Sequence, residues 1–433
     1  LQNLNMKKGD KVALMLPNCP EFVYGYLAVG CGGAVVVPLN KASTPSELLY
    51  LLNNSDTKIL ITQKSAEKKF QEVYPQLTTC RDLLILDPGT WNGEANPGPM
   101  NFPADIDPND PAVMIYTSGL TGKPLGAVLT HHNMCSELNM IQPIFRRQPE
   151  DIGLCLIPLF HSFGQTVNML NVIQAGCSTV MMDRLTMDSL FTTIEREKIS
   201  YICAVPRLYM GMVFHEKASK YDISSLKLCV TGGSAMPADF IPVFEKKFGV
   251  RILEGYGLTE AAPACSFNRI EAKAKPGSIG TALTGIDIKI VDEAGLELPR
   301  NQIGEVVLRG ANVMKGYYKD EAATASVIKD GWLHTGDLGR MDEEDYIFLT
   351  GRKKRMIITS GFNVYPTEVE AVLNMHPAVQ RSRVVGKEDL MRGELVKAEV
   401  VLKDGFSPDD KDIIRHCKTY LSPYKVPREV EFV

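Results

Sequence analysis

Asp337 and Arg352 lie at the ends of two strand-like pieces, 336–341 and 346–350, joined across an acidic turn at 342–345, the pattern of a hairpin with a short polar loop. A carboxylate accepts hydrogen bonds and a guanidinium donates them, so the pair suits a ligand carrying vicinal hydroxyls, such as a ribose. A second group, Gly255, Tyr256 and Gly257, leads into Thr259 and Glu260. Glycines on both sides of the tyrosine would let a flat ring approach while the phenol stacks on it. The hydroxyl and carboxylate that follow suit a phosphate and its Mg²⁺, a cation that prefers oxygen ligands and keeps several waters. A third group is the Ser/Thr/Gly-rich turn at 117–126, whose N–H groups and hydroxyls can wrap phosphate oxygens, with Lys123 adding charge. The G-x-x-x-x-G-K-[ST] pattern does not fit it, because Thr117 stands at the first glycine and Pro124 follows the lysine. Each group alone reads equally as a plain turn or bend. Together they describe the parts of a nucleotide.

The elements that must position these groups alternate between strand and helix. Strand 12–16, a helix over 21–31 entered by Pro20 and a buried strand 34–38 come first. A helix opened by a capping box of Thr44 and Glu47, with Pro45 at its first position, is next. Strand 59–62, a polar helix over 67–74 and strand 83–86 precede a Pro-, Gly-, Asn- and Asp-rich surface loop at 87–110. Strand 112–116 delivers the chain into the phosphate turn. Later units are strand 153–158, the segment LFHSFG at 159–164, an apolar helix to 175, strand 178–181, helix 187–197 and strands 201–204, 227–230 and 251–254. Such alternation predicts parallel sheets wrapped by helices, with ligands at the carboxyl ends of strands. His161 sits at one such end, either lining a pocket or as a satisfied structural histidine.

Short alternating strands and glycines from about 275 to 310 predict a β-barrel-like subdomain. The basic run Lys353, Lys354 and Arg355 reads either as a surface connection between two bodies or as a solvated turn. Beyond it, strands 383–386 and 396–402, a helix over 408–420 and a strand at 429–432 make a small α+β domain. The expected fold is α/β: a large N-terminal domain of helix-wrapped sheets over 1–354, with a β-rich subdomain at 275–350, and a small mobile α+β C-terminal lid over 355–433.

Composition narrows the class. At 433 residues, two or three domains are expected, and 45% hydrophobic with 23% charged residues is ordinary for a globular protein. A net charge of −4 gives no general attraction to nucleic acid or anionic membrane. The ten cysteines are scattered with no C-x-x-C, which points to reduced thiols in a cytoplasm. No apolar run is long enough to span a bilayer, and the first residues carry no signal-peptide pattern, so the expected location is cytoplasmic. The chain opens on Leu1, which reads as a trimmed start.

In order and spacing, YTSGLTGKPLG at 116–126, GGSAMP at 232–237, EGYGLTE at 254–260, GWLHTGDLG at 331–339 and GRKKRMIITSGFNVYP at 351–366 resemble the signature motifs of the adenylate-forming superfamily of acyl-CoA synthetases, firefly luciferase and peptide-synthetase adenylation domains. Within it the chain looks most like the fatty acyl-CoA ligases. The resemblance implies that Thr117, Ser118, Gly119, Thr121, Gly122 and Lys123 embrace the triphosphate. It implies that Gly233, Ser234, Ala235, Glu254, Gly255, Tyr256 and Gly257 frame adenine, that Thr259 meets the α-phosphate and that Glu260 holds Mg²⁺. Asp337 and Arg352 would take the ribose, Lys354 and Arg355 the hinge, and Ser360 and Gly361 the coenzyme A side. Lys123, His161, Thr259 and Glu260 would bear on catalysis. The implied chemistry is attack of a carboxylate on the α-phosphorus of ATP, then displacement of AMP by the thiol of coenzyme A, with the small domain rotating between the steps.

Three departures accompany the resemblance. Leu120 and Leu125 replace a hydroxyl residue and a lysine of the phosphate turn, and Arg355 replaces an acidic hinge residue. The chain ends at Val433, short of where the resemblance puts a catalytic lysine, so these residues are expected to bind ATP but adenylate poorly. Amino-acid-activating relatives carry aspartate at the place of His161, which disfavours a substrate amine here. The apolar Leu156, Ile157, Leu159 and Phe163 favour a medium- or long-chain fatty acid over the alternatives, an aryl acid or an acyl-carrier-protein ligase. A relative that binds nucleotide or acyl group without catalysis is the reading from another class. Chain length, coenzyme A against a carrier-protein pantetheine, and oligomeric state, a homodimer included, stay open.

Overall fold

The structure is a computed structural model that describes residues 4–90, 105–118, 123–182, 185–272, 275–353, 356–389, 392–407 and 409–433. The chain forms two compact units. One comprises Leu1–Ile106, Tyr116–Gly126 and Arg355–Val433, the other Asp107–Ile115 and Ala127–Lys354.

In the first unit, Lys11–Met15 lies between Val35–Pro38 and Thr57–Thr62, and Asp82–Ile85 follows Thr57–Thr62, all in parallel. Val12, Ala13, Leu14, Val35, Val36 and Val37 are all buried, as continuous apolar runs require of strands covered on both faces. The helix Pro45–Asn54 begins at the expected box: Thr44 accepts from the Glu47 amide, and Glu47 accepts from the Thr44 amide. Most of the loop expected at 87–110 falls outside the described residues.

The C-terminal part of this unit is an α+β layer. Val379–Asp389 and Gly393–Leu402 form a long antiparallel hairpin, and Glu429–Phe432 runs parallel to the second strand. Helices Pro366–Leu373 and Asp410–Tyr420 cover a core that includes Val369, Leu373, Val384, Val396, Val400 and Ile413. A buried charge cluster joins this part to the helix Pro45–Asn54. Lys425 Nζ lies 2.9 Å from Glu47 Oε1 and 2.7 Å from Glu368 Oε1.

The second unit holds a seven-stranded sheet in the order Thr281–Ala282, Ala264–Phe267, Arg251–Gly257, Leu228–Thr231, Tyr201–Ala204, Ile152–Cys155 and Ser178–Met181. The last five are parallel and the first two antiparallel. The segments of interest therefore leave the same, carboxyl, edge of consecutive parallel strands. A five-stranded antiparallel sheet follows, in which Trp332–Met341 pairs with Gly304–Gly310 on one side and with Ile328–Lys329 and Ile347–Arg352 on the other.

One element departs from its sequence expectation. The helix read as apolar up to 175 is a π-helical stretch, Gly164–Leu170, continued by Asn171–Gln174. Its Gln165, Thr166, Asn168 and Asn171 are buried. The cause is tertiary. Thr166 donates to the Ala262 carbonyl, Asn168 to the Cys203 carbonyl, and the buried guanidinium of Arg147 donates to the Val167 carbonyl. Polar side chains buried with partners do not carry the cost of orphaned ones. Gly164 has no room for a side chain, since a Cβ there would lie 2.4 Å from the Pro158 carbonyl oxygen.

Candidate active site

Asp337 and Arg352 face each other on neighbouring strands. Arg352 Nε is 2.6 Å from Asp337 Oδ1, and the Tyr256 hydroxyl donates to Oδ2 at 2.5 Å. Burial pushes the Asp337 carboxyl up, opposed by the Arg352 charge and the Tyr256 hydroxyl. Burial, with the Asp337 charge beside it, drives the Tyr256 phenol well above its ordinary value, so it stays a donor. The strand end is pinned from below by Glu305. Its carboxylate accepts from the Gly336 amide and from Lys353 Nζ, both at 3.0 Å, and pairs with His334 Nδ1 at 2.8 Å. Burial alone would raise Glu305, and these partners hold it below the usual carboxylate range.

The glycines beside Tyr256 are required by the protein's own packing. A Cβ on Gly255 would lie 2.1 Å from the Phe267 ring, and one on Gly257 2.0 Å from the Pro263 carbonyl oxygen. Thr259 and Glu260 then enter a single 3-10 turn, Thr259–Ala261. Thr259 Oγ1 is 3.2 Å from Ser162 Oγ, which places it beside the LFHSFG segment. Glu260 Oε1 accepts from the Tyr317 hydroxyl at 2.7 Å. Among the described residues no three His, Cys, Asp or Glu side chains gather as a metal cluster. A lone hard carboxylate fits Mg²⁺ held mainly by substrate phosphates and water.

Thr231 and Glu254 are register partners at the carboxyl ends of adjacent strands. Glu254 Oε1 accepts from the Met236 amide at 3.1 Å, while Glu254 Oε2 and the Thr231 hydroxyl are buried without a hydrogen-bond partner. Burial, partly offset by the Met236 amide, pushes Glu254 up to about 7. Between these strands the loop carries Gly233 in the left-handed region, φ 80°, followed by half-buried Ser234 and exposed Ala235. The His161 imidazole is lowered to about 4 by burial, so it is neutral at pH 7. Its Nδ1 accepts from the Phe163 amide at 3.2 Å, the local contact of a structural histidine.

The structure thus brings Tyr256, Asp337 and Arg352 into contact and sets Thr259 beside the segment that carries His161. Thr117, half-buried near the end of strand Pro111–Ser118, and exposed Lys123 belong to the other unit, as do Ser360 and Gly361. Ser360 and Gly361 make the left-handed turn, φ 53° and 84°, between strands Ile357–Thr359 and Phe362–Val364. Gly119, Leu120, Thr121, Gly122, Lys354 and Arg355 lie outside the described residues. Leu125, at the pattern's lysine position, is buried. Sequence reasoning missed Glu305, Ser162 and Tyr317. Each acts on a residue far away in the chain, so no local pattern marks its role.

Comparison with known proteins identifies the family. Residues 1–318 match the family described as AMP-binding enzyme, and residues 368–433 match the AMP-binding enzyme C-terminal domain. A long-chain-fatty-acid–CoA ligase of Bacillus subtilis (strain 168) is 36% identical, covering 100% of this chain and 83% of the relative. A feruloyl-CoA synthase of an Amycolatopsis species is 33% identical, covering 100% and 86%. Among solved structures, the amide bond synthetase McbA of Marinactinospora thermotolerans superposes with a TM-score of 0.91 at 28% identity, covering 100% of this chain and 88% of that one. The five linked motifs, the two-domain match and the full-length relatives agree: the chain belongs to the AMP-binding enzymes, the adenylate-forming family of acyl-CoA ligases.

Proposed function

We propose that the protein is an ATP-dependent carboxylic acid:CoA ligase acting on a medium- or long-chain fatty acid. The observation that carries this reading is the contact of Tyr256, Asp337 and Arg352, which draws three separated motifs into one polar cluster whose donors and acceptors suit a sugar's hydroxyls. In the first step a carboxylate oxygen bonds to the α-phosphorus of ATP, and the bond to the bridging oxygen breaks, releasing pyrophosphate. In the second the sulfur of coenzyme A, its proton lost, bonds to the acyl carbon, and AMP leaves with the electrons of the broken bond. The protein's work is alignment and charge stabilisation. Asp337 and Arg352 orient the ribose, the 233–235 loop and the 254–257 strand frame the base, Thr259 meets the α-phosphate, and Lys123 with Thr117 and Ser118 serves the phosphates. Glu260 holds Mg²⁺, which neutralises phosphate charge when bound.

Neutral His161 and the buried Ile157, Leu159 and Phe163 support an uncharged acyl tail. The long-chain ligase relative supports a fatty acid, and the feruloyl-CoA synthase relative keeps an aryl acid as the second reading. Residues 1–354 serve as the nucleotide-binding domain and 355–433 as the lid that moves between steps. We infer a cytoplasmic enzyme and a homodimer; the ten cysteines are free, and no described helix is long and apolar enough to cross a membrane.

Calorimetric titration with ATP, followed by a thermal-shift panel of acids in its presence, tests the reading. Octanoate to stearate should raise the melting point, with ferulate the control for the second reading, and Asp337→Asn should weaken ATP. Stabilisation by free amino acids but not fatty acids, or unchanged ATP affinity in Asp337→Asn, would refute it. ATP binding without pyrophosphate exchange for any acid, measured on the full-length protein, would mark a non-catalytic relative.

A further inference from the structure

The turn that carries Glu260 is gripped from several sides, and one short segment holds both the backbone and the carboxylate of Glu260. The Met314 amide donates to the Glu260 carbonyl at 2.8 Å, and the Tyr317 hydroxyl donates to Glu260 Oε1 at 2.7 Å. Two residues before Met314, the buried Asn312 amide donates to the Ala261 and Ala264 carbonyls at 2.7 and 3.0 Å and to Glu137 Oε2 at 3.0 Å. Glu137 in turn accepts from the Ala264 amide at 2.9 Å. The far side of the segment is equally fixed. Gly316–Tyr317 pairs antiparallel with Val128 and Ala127, on the strand that leaves the phosphate turn, and the Lys315 amide donates to the Val128 carbonyl at 2.9 Å. Thr324 accepts from the Tyr317 amide at 2.9 Å, and a Cβ on Gly316 would press to 2.9 Å from Thr324 Cγ2.

We propose that Tyr317 is a positioning residue for the first step, its hydroxyl fixing the plane of the Glu260 carboxylate toward the cation while segment 312–317 ties that carboxylate's backbone to the strand leaving the phosphate turn. This rests on the reading of Glu260 as the cation ligand. A hydrogen bond to an ionised carboxylate is roughly twice as strong as a neutral one, and its loss lets the side chain rotate away from the direction in which it is useful.

The test uses Tyr317→Phe, Glu260→Gln and the double variant, with Mn²⁺ binding in the presence of ATP followed by electron paramagnetic resonance. Tyr317→Phe should weaken Mn²⁺ about tenfold, leave ATP affinity without metal unchanged, and show no further loss when added to Glu260→Gln. In pyrophosphate exchange by the full-length protein, excess Mg²⁺ should restore the rate of Tyr317→Phe, which a general loosening of the fold would not allow. If Glu260→Gln weakens Mn²⁺ and Tyr317→Phe does not, Tyr317 has no positioning role. If Glu260→Gln itself leaves Mn²⁺ binding intact, the cation-ligand reading falls and the proposal falls with it. A loss in Tyr317→Phe that Mg²⁺ cannot restore, or that adds fully in the double variant, also overturns it.

Discussion

Replacing Lys425 by methionine tests the energetics of the C-terminal part most sharply. Lys425 is 7% exposed at its side chain and reaches two carboxylates that are themselves about as buried, Glu47 at 11% and Glu368 at 8%. Glu47 has other support: the Thr44 amide at 2.9 Å, the Ser422 hydroxyl at 2.5 Å and the Ser422 amide at 3.2 Å. Glu368 has less, since its Oε2 is buried without a hydrogen-bond partner. Methionine fills most of the lysine's volume, so the main effect is electrical: two desolvated carboxylates lose the cation between them. Removing one partner of a buried ion pair costs about 3–5 kcal/mol, against about 0–1 kcal/mol for an exposed pair.

The pH dependence identifies the cause. Burial raises Glu368 despite Lys425, whereas in Glu47 burial is outweighed by Lys425, Ser422 and Thr44, which leave it below its usual value. In Lys425, burial, which lowers it, is overcome by Tyr424 and the two carboxylates, and the amine stays well above its ordinary value. Its contribution is therefore complete at every pH below that of free lysine and drops out of the comparison across neutral pH. Without the cation, burial raises both carboxylates. Their ionisation then penalises the folded state above the free-carboxylate range, and the penalty fades as pH falls through the raised values. Urea denaturation followed by circular dichroism should show a deficit of about 3–5 kcal/mol at about pH 8 that shrinks toward about pH 5. A deficit under about 1 kcal/mol at the higher pH, or one that grows on acidification, would refute the reasoning.

Two other sites give independent expectations. Glu254 is raised from its usual 4.5 to about 7 by burial, so its ionisation should cost the fold on the order of 3 kcal/mol as pH rises through that interval. Glu254→Gln should flatten that loss in denaturation measured at either end of the interval, and an unchanged pH slope would show that Glu254 is not its source. Gly164→Ala forces a Cβ to 2.4 and 2.8 Å from the Pro158 and Ile157 carbonyl oxygens, and should cost about 1–3 kcal/mol in urea unfolding and weaken fatty-acid binding by shifting the His161 segment. A loss-free alanine variant would mean that this backbone has more freedom than its packing indicates.

What could be read from the sequence was what is encoded locally. The box at Thr44 and Glu47 states its own helix start, and the strands around Val12 and Val36 are apolar on both faces because both faces are covered. Helix Met187–Glu197 falls where the sequence put it, to the residue. The motifs around Tyr256 and Asp337 were likewise legible as motifs. Their contact was not, because it joins residues on two different sheets. The polar residues of Gly164–Leu170 are buried by partners such as Arg147 and Ala262 that no helical periodicity predicts. The glycines around Tyr256 read as room for a ligand, whereas Phe267 and the Pro263 carbonyl already occupy that approach. Tyr317 escaped notice for a related reason: its partner Glu260 sits in a motif complete without it.

The Lys425 cluster also bears on the proposed two-step cycle. If residues 355–433 swing as one body, Lys425, Glu368 and Ser422 travel together, Glu47 must give up Lys425 and both Ser422 contacts, and Thr44 must give up the Tyr420 carbonyl. A lysine paired with Glu47 alone would leave an uncompensated charge at each opening, the situation that makes broken buried pairs expensive. With Glu368 at 2.7 Å on its own body, Lys425 keeps one carboxylate throughout, and Glu47 keeps its bond to the Thr44 amide as part of the helix cap. The opening therefore exchanges several contacts of Glu47 for water, each a hydrogen bond to a charged group worth about 1.5–3 kcal/mol, while Lys425 stays paired with Glu368. In such a swing Glu368 would spare Lys425 the cost of a buried unpaired charge, and the bonds that Glu47 loses would set how firmly the resting arrangement holds.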